Sequence, residues 1–127
     1  MLTLTRRAAT LLPFVVPLAA RGDEATVLLG ATYPLSGSVA SAGKEMRAAV
    51  EVGVDIVNNA HPELKDLPLG PTAGLPNLQG RKIVVEFADH QGNPAVAQSE
   101  TLRLITQRHV VAMLGAYQSS CTLTSSA

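Results

Sequence analysis

Three short apolar runs, separated by longer amphipathic stretches, constrain this chain more than anything else in it. The runs are "TVLLGAT" (26–32), "RKIVVEFA" (81–88) and "HVVAMLG" (109–115). Each is rich in β-branched or aliphatic residues and bounded by charge, proline or a polar turn, so each predicts a buried strand. Between the first two, "KEMRAAVEVGVDIVNN" (44–59) predicts a helix. Met46, Ala49, Val50, Gly53, Val54 and Val57 recur at three- and four-residue steps, with Glu45, Arg47, Glu51 and Asp55 on the other side. Residues 94–108 predict a second helix, opened by Pro94 and presenting Val96, Leu102 and Ile105 on its apolar face. The closing "AYQSSCTLTSSA" begins as a loop whose Ser and Thr residues are N-cap candidates for a third helix.

Apolar strands alternating with amphipathic helices predict an α/β fold: a doubly wound parallel sheet covered on both faces and joined by right-handed crossovers. Residues 60–80 carry four of the eight prolines and three glycines, and no period survives there, which predicts a long connecting loop. "DHQGNP" (89–94) is a turn, with Gly92 and Asn93 suited to unusual backbone angles.

The first two dozen residues follow a different pattern. Arg6 and Arg7 precede an apolar run of about 13 residues, Ala8 to Ala20, followed by small residues. That order is that of a secretory signal, and the run is shorter than the roughly 20 residues a membrane-spanning helix needs. Pro13 and Pro17 argue the same way. The expectation is a signal peptide over 1–22, cleaved near Ala20, and a periplasmic mature chain. The Thr5-Arg6-Arg7 stretch leaves the twin-arginine route open beside the general one. A buried N-terminal helix is the alternative reading.

In a sheet of this kind ligands sit beyond the carboxyl ends of the strands. Three stretches meet there: Tyr33 to Gly43, Asp89 to Asn93, and Ala116 to Thr122. Several chemistries fail on spacing. A phosphate loop needs Gly, four residues, then Gly-Lys-Ser/Thr. Counting back from Gly43-Lys44, the first position is Ser38 rather than glycine, and Glu45 stands where a magnesium-holding hydroxyl belongs. No G-x-G-x-x-G follows a strand, and no G-x-S-x-G elbow occurs. The single cysteine, Cys121, has neutral neighbours and reads as a small buried thiol. Asp89 and His90 admit two readings, a loop-capping pair or acid–base or metal work. Ten basic against ten acidic residues, 3% aromatics and no Trp give no nucleic-acid platform, and no zinc-like Cys/His spacing is present. The expectation is therefore no enzyme, no metal and no cofactor.

The edge does offer hydroxyls and helix-start N–H groups. Ser119, Ser120 and Thr122 stand between a strand and a helix start, where unpaired donors suit a ligand carboxylate. Tyr33 and Tyr117 either pack on a ligand's apolar part or cover the sheet rim. Such groups hold a small molecule without reacting with it.

Taken in order, "LLGATYPLSGSVASAGKEMRAAVEVGVDIVN", "GRKIVVEFADHQGNPAVAQSE" and "VVAMLGAYQSSCT" resemble the leucine/isoleucine/valine-binding type of periplasmic solute-binding protein, a component of ABC importers. The likeness runs from about residue 26 to the last residue. It implies that residues 23–127 are part of the N-terminal lobe of a two-lobed type I periplasmic-binding fold, incomplete at its end and with the second lobe missing. It implies a small solute, an amino acid or a related carboxylate or amide, and an ABC permease in the membrane as partner. By the same likeness, Ser119 binds the ligand carboxylate with Ser120 and Cys121 close by, and Ser36 to Gly43, Gly37 included, lines the cleft. Tyr33, Tyr117 and Asp89 complete the candidate set. Ala42 stands where some amino-acid-binding members carry an aromatic residue, which weakens the case for a plain amino acid. A disulfide found in those members is not expected here, since the turn is His90-Gln91-Gly92-Asn93 and Gln118 precedes the first serine. The alternative role is a ligand-sensing module of the same fold. An enzyme on a doubly wound sheet, such as a small hydrolase, lacks a nucleophile–base pair. Half a cleft leaves most of a ligand in water, so the expectation is weak binding or none by this chain alone.

Overall fold

A computed structural model describes residues 26–127. Its elements are β1 (Thr26–Tyr33), α1 (Ala40–Asn58), β2 (Lys82–Asp89), α2 (Pro94–Thr106), β3 (Ala112–Gly115) and α3 (Ser119–Ser125), with one 3-10 turn at Pro76–Leu78. The signal peptide read over 1–22 lies outside the described residues.

The three strands form one parallel sheet in the order β2-β1-β3. β1 is the central strand, and its Ala31 and Thr32 are almost wholly buried. The order matters. The β1-α1-β2 crossover moves one way along the sheet and the β2-α2-β3 crossover moves back past β1. Right-handed connections in opposite directions put α1 and α2 on opposite faces. The side chains agree. Arg47 of α1 lies 4.8 Å from the Phe87 ring centre, while the neighbouring Ala88 packs with Leu104 of α2, Val110 and, on the same face, Leu28 and Met113.

Several boundaries and faces depart from the sequence reading. α1 starts at Ala40, four residues before the predicted start, so "ASAG" is helix rather than loop. Its Gly43 suggests a turn in sequence, but a Cβ there would run into the Pro34 carbonyl, so the glycine lets the helix sit on the chain entering it. Met46 and Ala49, assigned to the buried side of α1, are exposed; Gly43 is the residue of α1 that is buried. On α2, Leu102 and Ile105 are exposed, and Ala97, Thr101 and Leu104 face inward instead. Small residues let the helix approach both the sheet and α3, a packing demand that a hydrophobicity ranking does not express. α2 ends at Thr106 and β3 begins at Ala112, leaving His109 with φ 56 in a tight turn. Residues 60–80 do form an irregular loop, tied to α1 by the Gly74 N–H donating to the Val57 carbonyl at 2.7 Å and ending in a bridge between Leu75 and Arg81.

Candidate functional site

The carboxyl ends of the strands carry three loops. In a 2-1-3 strand order the connections diverge between β1 and β3, and that divergence leaves a crevice above those two strand ends. The first loop leaves β1 at Tyr33, the second leaves β2 at Asp89, and the third leaves β3 at Gly115.

Asp89 holds the first two loops together. Its Oδ1 accepts the Leu35 N–H at 2.8 Å and the Gln91 N–H at 2.9 Å. Burial pushes its carboxyl up, but hydrogen bonds from the Ser36 hydroxyl and from the Gln91, Leu35 and Ser36 N–H groups bring it below its ordinary 3.8. Gly37 has φ +83, and a Cβ there would stand 3.3 Å from the Gln91 carbonyl, so the first loop runs close against the second.

His90 is fully buried and links the second loop to the third. Its Nδ1 accepts the Gly92 N–H at 3.0 Å, and its Nε2 lies 3.2 Å from the Ala116 carbonyl. Of the two sequence readings of Asp89 and His90, their hydrogen bonds match the loop-capping one. Asn93, expected to adopt an unusual angle, is instead the N-cap of α2: its φ is −102 and its side chain accepts from the Ala95 and Val96 N–H groups. The positive φ falls on Gln91 and Gly92.

In the third loop Tyr117 has φ 62 and is half exposed, whereas Tyr33 is buried at the end of β1, where desolvation raises its phenol. Ser119 and Ser120 form the first turn of α3 and are exposed. The predicted Ser/Thr N-cap is not found: the cap residue is Gln118, with no side-chain capping bond. Thr122 Oγ1 instead receives the Ala116 N–H at 3.3 Å. Among the described residues, the Ser119 and Ser120 hydroxyls make no hydrogen bond within the chain, while Ser36 and Asp89 are engaged with each other. Cys121 is fully buried, its Sγ 3.7 Å from His90 Nδ1.

The structure thus brings Ser36, Gly37 and Asp89 together, and sets Tyr117, Ser119 and Ser120 at the end of β3. The sequence reading missed His90 as a link between loops; the signal available was only its place beside Asp89 at a strand end. A cavity of about 320 Å³ lies between α2, α3 and β3 and reaches the ends of β1 and β3, lined by Thr32, Thr101, Ile105, Met113, Ala116 and Thr122 among others. Thr122 lines it, whereas Tyr33, Ser36, Gly37, Asp89, Tyr117, Ser119 and Ser120 do not. Among the described residues no cluster of three metal-ligating side chains occurs, and no helix is long and apolar enough to cross a membrane.

A family model described as "Periplasmic binding protein" matches residues 26–127. The chain belongs to the periplasmic binding protein family. Leu/Ile/Val-binding protein homolog 8 of Brucella abortus (strain 2308) is 33% identical over 102 residues, 80% of this chain and 21% of the relative. Among solved structures, the branched-chain amino acid transporter substrate binding protein of Streptococcus pneumoniae, in complex with isoleucine, is 25% identical with a TM-score of 0.62, over 79% of this chain and 24% of that one. A solute binding protein of an ABC transporter from Rhodopseudomonas palustris BisB5, in complex with 3,4-dihydroxybenzoic acid, shares the fold at a TM-score of 0.60 and 19% identity, over 80% of this chain and 23% of that one. The α/β sheet described above is the part of the family fold that this chain spans, about a fifth of the curated relatives' length and a quarter of the solved structures'. These relatives are named as binding proteins, in agreement with a non-enzymatic family.

Proposed function

We propose that the chain is part of the first lobe of an extracytoplasmic solute-binding component of an ABC importer, and that it contributes one wall of a site for a small carboxylate. Residues 1–22 act as the export signal, residues 23–127 form part of the lobe, the location is the periplasm, and a membrane permease receives the solute. The observation that carries this reading is the division of labour at the strand ends. The polar groups of the second loop are committed to holding the loops, whereas the Ser119 and Ser120 hydroxyls stand unengaged in the first turn of α3 beside the β1–β3 crevice. Hydroxyls and helix-start N–H groups suit a carboxylate. Two relatives were solved with isoleucine and with 3,4-dihydroxybenzoic acid; both ligands carry a carboxylate and differ in almost everything else, which supports that group as the shared handle. Tyr33, Ser36, Gly37 and Tyr117 complete the wall, with Asp89 setting the loop that carries Ser36 and Gly37.

The test is a titration of the isotope-labelled 127-residue chain with isoleucine and with 3,4-dihydroxybenzoate, followed by amide shifts. Weak binding is expected, since one wall leaves most of the ligand in water. Shifts should concentrate at Ser36, Gly37 and Tyr117 to Ser120, vanish with the carboxylate-free analogue isoleucinol, and fall in Ser119→Ala. Shifts confined to the α2–α3 cavity, or equal shifts with isoleucinol, sink the reading.

A further inference from the structure

His90 touches all three loops. Its backbone N–H donates to the Tyr33 carbonyl at 3.2 Å and its own carbonyl accepts the Asn93 N–H at 2.8 Å. Its ring adds the Gly92 bond through Nδ1 and the Ala116 contact through Nε2. Because Nδ1 accepts an N–H, the ring proton belongs on Nε2, which therefore donates to the Ala116 carbonyl. That carbonyl also accepts the Gln118 N–H at 2.6 Å, and the Ala116 N–H is held by Thr122 Oγ1.

The anchored residue sits where the chain most needs an anchor. Tyr117 follows at φ 62, a left-handed conformation that is sparsely populated for a bulky side chain. Two residues later come Ser119 and Ser120. Without a fixed point on Ala116, the local preference of Tyr117 would relax the turn and move both serines. The ring itself is boxed in: Cys121 Sγ packs at 3.7 Å from the α3 side, and Asp89 is turned toward Leu35 and Gln91. No water-accessible surface remains on His90, so it does not touch a solute.

We propose that His90 is the positioning residue of the solute site: through its Nε2–H bond to the Ala116 carbonyl it holds the Tyr117 turn and thereby sets the Ser119 and Ser120 hydroxyls. This rests on the function proposed above, but its first test does not. Two substitutions separate its two ring bonds. In His90→Asn the short amide oxygen falls near the Nδ1 position, keeping the Gly92 bond and losing Ala116. In His90→Gln the longer amide nitrogen reaches toward Ala116 and the Gly92 bond is lost. Amide exchange and the coupling constant that reports φ at Tyr117 are measured in the full chain for each variant. The expected result is a retained Tyr117 signature in His90→Gln and, in His90→Asn, exchange about tenfold faster at Gln118 and Thr122, whose N–H groups the Ala116 and Gln118 carbonyls accept, the size of one net hydrogen bond. Isoleucine-induced shifts should follow the same order. Equal exchange in both variants, or the slower exchange in His90→Asn, overturns the proposal. Loss of isoleucine binding in the unsubstituted chain refutes the proposed function and leaves the exchange comparison standing. Should either variant fail to fold, ring-nitrogen NMR of the unsubstituted chain decides: a proton on Nε2 in a hydrogen bond is expected, and a proton on Nδ1 overturns it.

Discussion

The two outer strands of the sheet are finished in opposite ways. β2 pairs with β1 over eight residues, and its far side is closed by a side chain: Asn58, the last residue of α1, donates its Nδ2 to the Ile83 carbonyl and accepts the Ile83 N–H, both at 2.7 Å. The amide does for Ile83 what a further strand would do. Charge completes the closure, since Glu86 bonds Arg108 at 2.6 Å and Arg103 at 3.4 Å. β3 pairs with β1 over four residues and carries no charge at all. Around it Leu102, Ile105, Val111 and Leu114 are exposed, and the apolar cavity opens beside them. Uncharged, apolar edges invite pairing with other chains, whereas charged and blocked ones resist it. A parallel edge can thus be closed by one well-placed amide, and the edge without one is where this sheet presents apolar surface.

The largest effect should come from removing that amide. Asn58→Ala leaves the part-buried N–H and C=O of Ile83 without their partner and should cost about 1–3 kcal/mol in chemical denaturation. A cost near zero would break the contrast, because β2 would then need no closure. Glu86→Gln should cost less, under about 1 kcal/mol, since both arginines are partly solvated. The Arg108 hydrogen bond holds the Glu86 carboxyl below its ordinary 4.5, against an upward push from partial burial. A lowered carboxyl stabilises the folded chain fully above pH 4.5 and loses that contribution as pH falls through the folded value. The gap between the parent and Glu86→Gln should therefore close on acidification; a gap that widens contradicts the ion-pair account. The smallest change in stability, within about 0.5 kcal/mol, is expected for Leu114→Lys on the exposed β3 edge. Sedimentation should nevertheless show less concentration-dependent self-association. An equal drop from Val84→Lys on β2 would erase the difference between the edges.

How far the sequence could be read follows the range of the interactions concerned. The strands were legible at 26–32 and 81–88, because runs such as "TVLLGAT" and "KIVVEFA" carry their β-branched character locally. The start of α1 was not, since Gly43 looks like a loop residue until Pro34 is seen beneath it. Nor was the buried face of α2. Leu102 and Ile105 are as apolar as Leu104, yet the inner face is Ala97, Thr101 and Leu104, a choice set by which side of the helix meets the sheet and α3. At the strand ends the three loops were legible, and the hydrogen bonds by which His90 ties them together were not.

By itself the sequence determined that a parallel α/β sheet forms and that its polar groups gather at the strand ends, because periodicity and turn chemistry act over a few residues. The tertiary structure alone decided the β2-β1-β3 order, and with it where the crevice opens. It also decided that Asp89 and His90 are spent on neighbouring loops while Ser119 and Ser120 remain available. Hydrogen-bond partners are chosen through space: Asp89 finds Leu35 fifty-four positions away and His90 finds Ala116 twenty-six away, separations that no local pattern encodes.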